Sequence, residues 1–308
     1  MRKFLPEGNL INTEYNKKNV SDIFSLKKAF EDDKIIEARA ILCDREHNLH
    51  IDFGFIHGII YRNDTAFGID TGATKDIAII SRVNKPVCFK IIRFETDDNG
   101  IEFVVLSRKK VQEECFNEYV STLKCGDIIE AKIAHIENFG AFVDIGAGIN
   151  ALLPIDNISV SRIPNPSVHF NVGQTIKAII KSRDSAGRIT LSHKELLGTW
   201  EQNAQLFHVG ETVPGIIRSV EKYGIFVEIT PNLSGLAELV PNISPGQTAS
   251  VYIKNIIPEK MKIKLIIVES FDSDIYKSSF RYFTDCSHID KWIYSPANYP
   301  KIIESVFE

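Results

Sequence analysis

Several features that would assign this chain of 308 residues to a class at once are missing from its sequence. Its five cysteines are an odd number and none stand at C-x-x-C spacing, which argues against a disulfide framework and a zinc ribbon. No apolar run approaches the roughly 18 residues of a membrane span. Pro6, Glu7 and Gly8 stand where a secretory signal would need its apolar core. We therefore expect a cytoplasmic protein without a membrane partner.

Catalytic signatures are equally scarce. There is no Gly-x-x-x-x-Gly-Lys-Ser/Thr phosphate loop and no His-Glu-x-x-His motif. Aspartates recur between Asp52 and Asp76, but acidic residues are common in β-turns that bind no metal. Cys286 and His288 could be half of a metal site, but nothing near them in sequence completes it. We expect a protein that is not an enzyme, with no metal and no cofactor; a hydrolase is the minor alternative.

An excess of positive charge is also absent. The chain has 36 basic and 40 acidic residues, a net charge of −4 and a pI near 6.1. This balance excludes a polybasic arm at the level of the whole chain, so any site for nucleic acid must be local. With 44% hydrophobic and 25% charged residues, the composition is that of a folded globular protein.

What the sequence does contain is an internal repeat. Gly-Asp-Ile-Ile-Glu at 126–130 is followed by Phe-Gly-Ala-Phe-Val-Asp at 139–144. The motif returns with Tyr-Gly-Ile-Phe-Val-Glu at 223–228, and the same offset relates the glycines that open the two copies. An earlier, more divergent copy is visible because 34–39 matches 127–132 and 105–109 matches 190–194. The chain therefore contains three repeats.

Each repeat shows short segments of alternating polarity separated by glycine turns, which is typical of β-strands. A repeat of this length is too short for a two-sheet sandwich but fits a closed five-stranded barrel. The sequence predicts an all-β fold of three tandem barrels joined by short helices. The predicted segments are an N-terminal helical segment at 1–32 with its helix at 21–31 capped by Ser21, barrels at 33–110, 125–195 and 209–269, helical linkers at 111–124 and 196–208, and an aromatic-rich C-terminal tail at 270–308 packed on a barrel.

Aromatic pairs recur beside the same glycine. Phe139 and Phe142 flank Gly140, and Tyr223 and Phe226 flank Gly224. One interpretation places at least one ring of each pair in the core. The other is favoured by basic residues on the late strands, because aromatic rings interleaved with cations can stack bases and hold phosphates, at roughly 1–3 kcal/mol per stacked base. These basic residues are Lys181, Arg183 and Arg188 in the second repeat and Lys254, Lys260, Lys262 and Lys264 in the third.

These motifs resemble the S1-type RNA-binding domain, an oligonucleotide/oligosaccharide-binding (OB) barrel. The resemblance is strongest in the second repeat, where it also covers Leu-Leu-Pro at 152–154, Val-Gly at 172–173 and Gly-Arg-Ile-Thr-Leu-Ser at 187–192. The loop Arg-Ile-Pro-Asn-Pro-Ser at 162–167 is similar to one in repeats of the bacterial ribosomal protein S1 family. The resemblance declines from the second repeat to the third and then the first.

The resemblance implies an RNA surface on the second and third repeats. In the second, this surface comprises Phe139, Phe142, Arg162, Lys181, Asp184 and Arg188. In the third, it comprises Tyr223, Phe226, Lys254 and Lys262. A histidine of the family's third strand is replaced by Pro154 in the second repeat and by Glu238 in the third. Because Glu238 places a negative charge where RNA would pass, we expect the third repeat to bind more weakly.

The first repeat departs most from the family pattern. His47 and His50 stand at its aromatic positions, and Phe103 occupies the place of Arg188. These histidines could stack on bases, but an ordinary surface role is the simpler interpretation. In the S1 family the N-terminal repeats tend to dock on the ribosome, so the resemblance implies a barrel that binds protein.

Together these features predict a protein that binds single-stranded RNA, in particular mRNA. The resemblance implies association with the small ribosomal subunit through the first repeat, and a role in capturing mRNA for translation. Two alternatives stay open. One is a free regulator of RNA stability that is not bound to the ribosome, and the other is a scaffold for protein interactions whose barrels no longer bind RNA.

Overall fold

The structure is a computed structural model that describes residues 3–272 and 280–307. Within these residues the chain forms three closed barrels of five strands each. The predicted fold of three tandem five-stranded barrels is confirmed. The chain divides into two compact units: residues up to 123 with 144–150, and residues 124–143 with those from 151 onward.

The first unit contains the first barrel, whose strands run in the order β1-β2-β3-β5-β4. All neighbouring strands are antiparallel except β3 and β5, which are parallel. Apolar side chains that alternate along the strands fill the barrel and form one buried cluster. The elements are α1 (Glu14–Asn19), α2 (Ile23–Glu31), β1 (Ile36–Cys43), β2 (Leu49–Asp52), β3 (His57–Ile60), α3 (Asp76–Ile80), β4 (Pro86–Thr96), β5 (Glu102–Ser107) and α4 (Arg108–Glu118).

The N-terminal helix begins one residue later than its predicted cap requires. Asp22, and not Ser21, caps α2, because the Asp22 carboxylate accepts a hydrogen bond from the Ser25 backbone N–H. The Ser21 hydroxyl instead donates to that same carboxylate. Either residue type is a good cap, so the sequence alone did not decide between them. A short helix, α1, precedes α2 and was not predicted.

A buried ion pair holds the N-terminal segment against the first barrel. The guanidinium of Arg108 donates to both Glu7 carboxylate oxygens, at 2.6 Å and 2.9 Å. Arg82 donates to the same carboxylate at 3.0 Å. Burial alone would raise the pKa of Glu7, but the charges of Arg108 and Arg82 lower it to about 2. Glu7 is therefore a permanent anion that ties the segment before α1 to the start of α4.

The second unit contains the other two barrels. Their strand orders are β10-β8-β7-β6-β9 and β11-β12-β13-β15-β14, and one parallel pair closes each barrel. The elements are β6 (Ile128–Glu137), β7 (Gly140–Asp144), β8 (Asn150–Pro154), β9 (Thr175–Arg183), β10 (Ile189–Ser192), α5 (Trp200–Ala204), β11 (Thr212–Glu221), β12 (Gly224–Thr230), β13 (Leu233–Ala237), β14 (Thr248–Ile257), β15 (Lys262–Phe271), β16 (Lys291–Ile293) and β17 (Glu304–Val306).

The helices between the barrels are shorter than the sequence periodicity suggested. α4 stops at Glu118 and is followed by a single 3-10 turn. Between the second and third barrels, a 3-10 turn precedes α5, which is one and a half turns long. Thr199 and Gln202 form a capping box that fixes the start of α5.

Side chains of the C-terminal tail are part of the second unit's apolar cores. Trp292 and Tyr294 join the buried cluster of the third barrel. The Tyr294 hydroxyl donates to the backbone carbonyl of Asn232 at 2.5 Å. Phe307 packs against Ile179 of β9. Tyr276, one of the tail's aromatic residues, lies outside the described residues. None of the helices in the described ranges is long and apolar enough to cross a membrane.

Candidate nucleic-acid interface

The predicted binding residues lie on one side of each barrel, which we call the outer wall. It consists of the outward-facing side chains of three adjacent strands: β7, β8 and β10 in the second barrel, and β12, β13 and β15 in the third. In the third barrel Phe226 pairs with Leu236, which in turn lies beside Lys264. The residues on either side of Phe226 and Lys264 along their strands are buried, so these two side chains face outward.

Strand register relates the three walls position by position. In each barrel the fourth strand carries a bulge opposite the fifth, and the pairing resumes in the same way around it. Taken in the order first, second and third barrel, the equivalent positions are His50, Phe142 and Phe226; Tyr61, Pro154 and Glu238; Ile92, Lys181 and Lys254; Phe103, Arg188 and Lys262; and Val105, Thr190 and Lys264.

The aromatic pairs have the same geometry in the second and third barrels. The ring centroids of Phe139 and Phe142 are 6.1 Å apart with an interplanar angle of 89°, and those of Tyr223 and Phe226 have the same two values. Phe139 is 56% exposed and Tyr223 is 70% exposed. Phe142 and Phe226 are partly exposed and belong to neither barrel's core. The interpretation that one ring of each pair lies in the core is therefore wrong.

A glycine next to each pair lets two strands approach closely. A Cβ atom on Gly140 would lie 2.5 Å from the backbone oxygen of Leu153, and one on Gly224 would lie 2.6 Å from that of Ala237. Gly224 also has φ +151°, a backbone conformation that side chains with a Cβ rarely adopt. The glycine thus positions the paired rings against the third strand of the wall.

We expect Gly224→Ala to destabilise the third barrel by about 1–3 kcal/mol, because the added methyl group overlaps a backbone atom that cannot rotate away. Urea unfolding followed by tryptophan fluorescence measures this loss, since both tryptophans lie in the second unit. Lys222→Ala in the same turn is the control and should change stability by less than about 0.5 kcal/mol. Equal stability of the two variants would contradict this role of Gly224.

The cations of the second wall have protein partners. Arg188 is 83% exposed at its side chain and donates to Asp184 at 2.7 Å. The hydrogen bond from Arg188 lowers the pKa of Asp184, whose other oxygen accepts from the turn's backbone N–H groups. Asp184 therefore orients Arg188. Lys181 donates to the Asn157 side chain at 2.8 Å. Arg162 lies exposed in the long loop that follows β8.

The third wall carries three exposed lysines. Lys254 and Lys262 are the predicted pair, and Lys264 is the third. Glu238, which stands at the position of Pro154, lies with its carboxylate 3.9 Å from the Lys254 ammonium. The sequence analysis counted Lys264 among the basic residues of the late strands but did not assign it to the surface. Its spacing of two from Lys262, which puts both on one face of a strand, was the available signal.

The first wall differs chemically from the other two. The His50 ring lies 2.9 Å from the His57 ring nitrogen and 3.0 Å from the Asp44 carboxylate, and it is 17% exposed at the side chain. His47 occupies the turn between β1 and β2 with φ +65°. The three positions that carry cations or threonine elsewhere hold Ile92, Phe103 and Val105. This wall offers neither a free aromatic pair nor a cation at these positions.

The proposed half metal site is occupied by other interactions. His288 forms hydrogen bonds with Asp127 at 2.7 Å and with Asp290 at 3.1 Å, one through each ring nitrogen. Cys286 is exposed. The part of the chain that the structure describes contains no group of three or more His, Cys, Asp or Glu residues arranged to hold a metal ion.

Comparison with known proteins agrees with this geometry. Residues 122–194 match the family model of the S1 RNA binding domain. The second barrel therefore belongs to the S1 RNA-binding domain family, and the resemblance drawn from its motifs is confirmed.

Over a longer stretch, the chain is similar to small ribosomal subunit protein bS1. It is 30% identical over 216 residues to that of Staphylococcus aureus (strain COL), covering 65% of this chain and 54% of the relative. It is 30% identical over 260 residues to that of Staphylococcus haemolyticus (strain JCSC1435), covering 79% and 63%. The chain thus spans about half of the length of the first of these relatives. A multidomain protein with nucleic acid binding domains from Streptococcus pneumoniae matches 77% of the chain at 12% identity, with a TM-score of 0.27.

Proposed function

We propose that the second and third barrels bind single-stranded RNA across their outer walls. The observation that supports this most is the repeated aromatic pair, which has one geometry in two barrels and lies beside exposed cations in both. An exposed ring costs free energy in water unless something covers it. Two such rings at right angles, flanked by cations, suit an unpaired base and its phosphate.

Each wall divides the work between rings and cations. Bases stack on Phe139 and Phe142 in the second barrel and on Tyr223 and Phe226 in the third, at roughly 1–3 kcal/mol per base. Phosphates contact the cations of the second wall, Arg162, Lys181 and Arg188, and of the third, Lys254 and Lys262. Asp184 contributes by holding Arg188. Duplex RNA is a poor ligand because its bases are already stacked on one another.

We expect a modest dependence of this binding on salt, because the chain has a net charge of −4. If three or four phosphates are neutralised, the slope of log affinity against log salt should be about −2 to −3. Fluorescence anisotropy of a labelled single strand at several salt concentrations measures the slope. A slope near zero would contradict phosphate contacts, and one steeper than about −5 would require many more cations than the walls present.

We further propose that the chain acts in the cytoplasm with the small ribosomal subunit and helps to capture mRNA for translation. Its support is the similarity to bS1, a protein named for that subunit. The first barrel, whose wall lacks the free rings and cations of the others, is the proposed contact with the ribosome. The other two barrels then remain available for mRNA.

Co-sedimentation with small ribosomal subunits tests the assignment of the first barrel. The full chain and its Phe139→Ala/Phe142→Ala variant should sediment equally, because the substituted wall is not the proposed contact. Loss of sedimentation in the variant would instead assign ribosome binding to the RNA wall. A chain that binds RNA but does not sediment would be a free regulator of RNA stability. A chain that binds neither would be a scaffold for protein interactions.

A further inference from the structure

We propose that Lys264 is a further phosphate-binding residue, and that the third barrel holds RNA mainly by charge whereas the second holds it mainly by stacking. This inference rests on the proposed function. It assigns the two walls different binding modes, although their aromatic pairs have the same geometry.

The position of Lys264 follows from strand pairing. It lies beside Leu236, which pairs with Phe226, so a single row across the wall joins the aromatic ring to the ammonium group. Its neighbours Ile263 and Leu265 are buried, which directs Lys264 outward on the same side as Lys262. At the equivalent position the second barrel has the neutral Thr190.

The two walls also differ in what already occupies their cations. In the second, Arg188 is paired with Asp184 and Lys181 with Asn157. In the third, Lys262 and Lys264 form neither an ion pair nor a hydrogen bond with any residue in the described ranges. A phosphate must share Arg188 with a carboxylate, whereas it can take these two lysines without displacing a partner. The third wall therefore offers more uncompensated positive charge.

Glu238 does not cancel this charge. Its carboxylate lies 3.9 Å from the Lys254 ammonium, so its charge falls mainly on the third of the wall's lysines. Lys262 and Lys264 lie two residues apart along β15, about 6.8 Å, and present a second contact away from that pair. We infer that the third barrel is not the weaker site at low salt, and that its contribution fades as salt rises.

A reciprocal exchange at the equivalent positions tests the inference in the full chain. Lys264→Thr is made in the Phe139→Ala/Phe142→Ala background, in which RNA binding depends on the third barrel. Removing one phosphate contact should make the salt slope shallower by about 0.7, so that between about 50 and 200 mM salt the parent loses about 2.6-fold more affinity than the variant. Thr190→Lys in the otherwise natural chain should steepen the slope by the same amount. Lys301→Gln, at an exposed position of the tail, is the control and should leave the slope unchanged.

The outcomes separate the inference from the proposed function. If the natural chain binds RNA but Lys264→Thr matches its parent in affinity and slope, the inference is overturned and the proposed function stands. The same holds if the parent double variant has lost all binding, because the third barrel then contributes nothing. If the natural chain itself does not bind single-stranded RNA, the proposed function fails and the inference fails with it. A shallower slope in Lys264→Thr and a steeper one in Thr190→Lys support it.

Discussion

Replacing both Phe139 and Phe142 with alanine is expected to weaken binding of a single-stranded RNA at least tenfold. Each ring that stacks on a base contributes roughly 1–3 kcal/mol, and a tenfold loss requires only about 1.4 kcal/mol. The third barrel continues to hold the strand in the variant, so binding should fall without vanishing. Fluorescence anisotropy with an RNA of about ten to fifteen nucleotides, with duplex RNA as competitor, measures the change.

The fold should survive this substitution because neither ring is buried in the core. Thermal unfolding should therefore change little. Phe24→Ala is a matched control, since Phe24 is a phenylalanine that is 82% exposed on α2, in the first unit. It should leave RNA affinity unchanged. Equal affinity of the double variant and the natural chain would contradict the stacking assignment.

Glu7→Gln is expected to destabilise the first unit by about 3–5 kcal/mol, because it leaves a buried guanidinium without its counter-charge. The side chains of Glu7 and Arg108 are 4% and 5% exposed, so water cannot replace the lost carboxylate. Glu118→Gln is the control: its ion pair with Lys3 is 52% exposed at both side chains and should contribute at most about 1 kcal/mol.

Hydrogen exchange of peptides from β1 measures this change, since both tryptophans lie in the second unit and do not report on the first. The pH dependence gives an independent check. The pKa of Glu7 is lowered from 4.5 to about 2, so the stabilisation by this carboxylate is fully present above pH 4.5 and is lost as the pH falls towards 2. Glu7→Gln should lack this part of the acid sensitivity. A variant as stable as the natural chain would contradict the role of the pair.

The sequence predicted the barrels because their causes are local and repeated. Alternating apolar residues and glycine turns recur in three copies, and each copy contains what a closed five-stranded sheet requires. The paired rings were also predictable, since Phe139 and Phe142 stand beside a glycine that returns with Tyr223 and Phe226. Repetition distinguished a surface pattern from an ordinary core pattern.

The features that were missed depend on contacts between distant residues. Nothing in the sequence around Glu7 shows that Arg108 will reach it, because the two meet only after the first barrel has closed. Lys264 was passed over because its place in the wall follows from strand register and not from a motif. Asp184 was predicted at the surface, but its hydrogen bond to Arg188 required the turn geometry.

The central claim is that single-stranded RNA crosses the outer walls of the second and third barrels. Cross-linking of a photoreactive uridine-containing RNA to the full chain, followed by mass spectrometry of the linked peptides, tests it most directly. The account predicts links in the peptides that contain Phe139 and Phe142 and in those that contain Tyr223 and Phe226, with few in the first barrel. Links confined to the first barrel or to the C-terminal tail would contradict it.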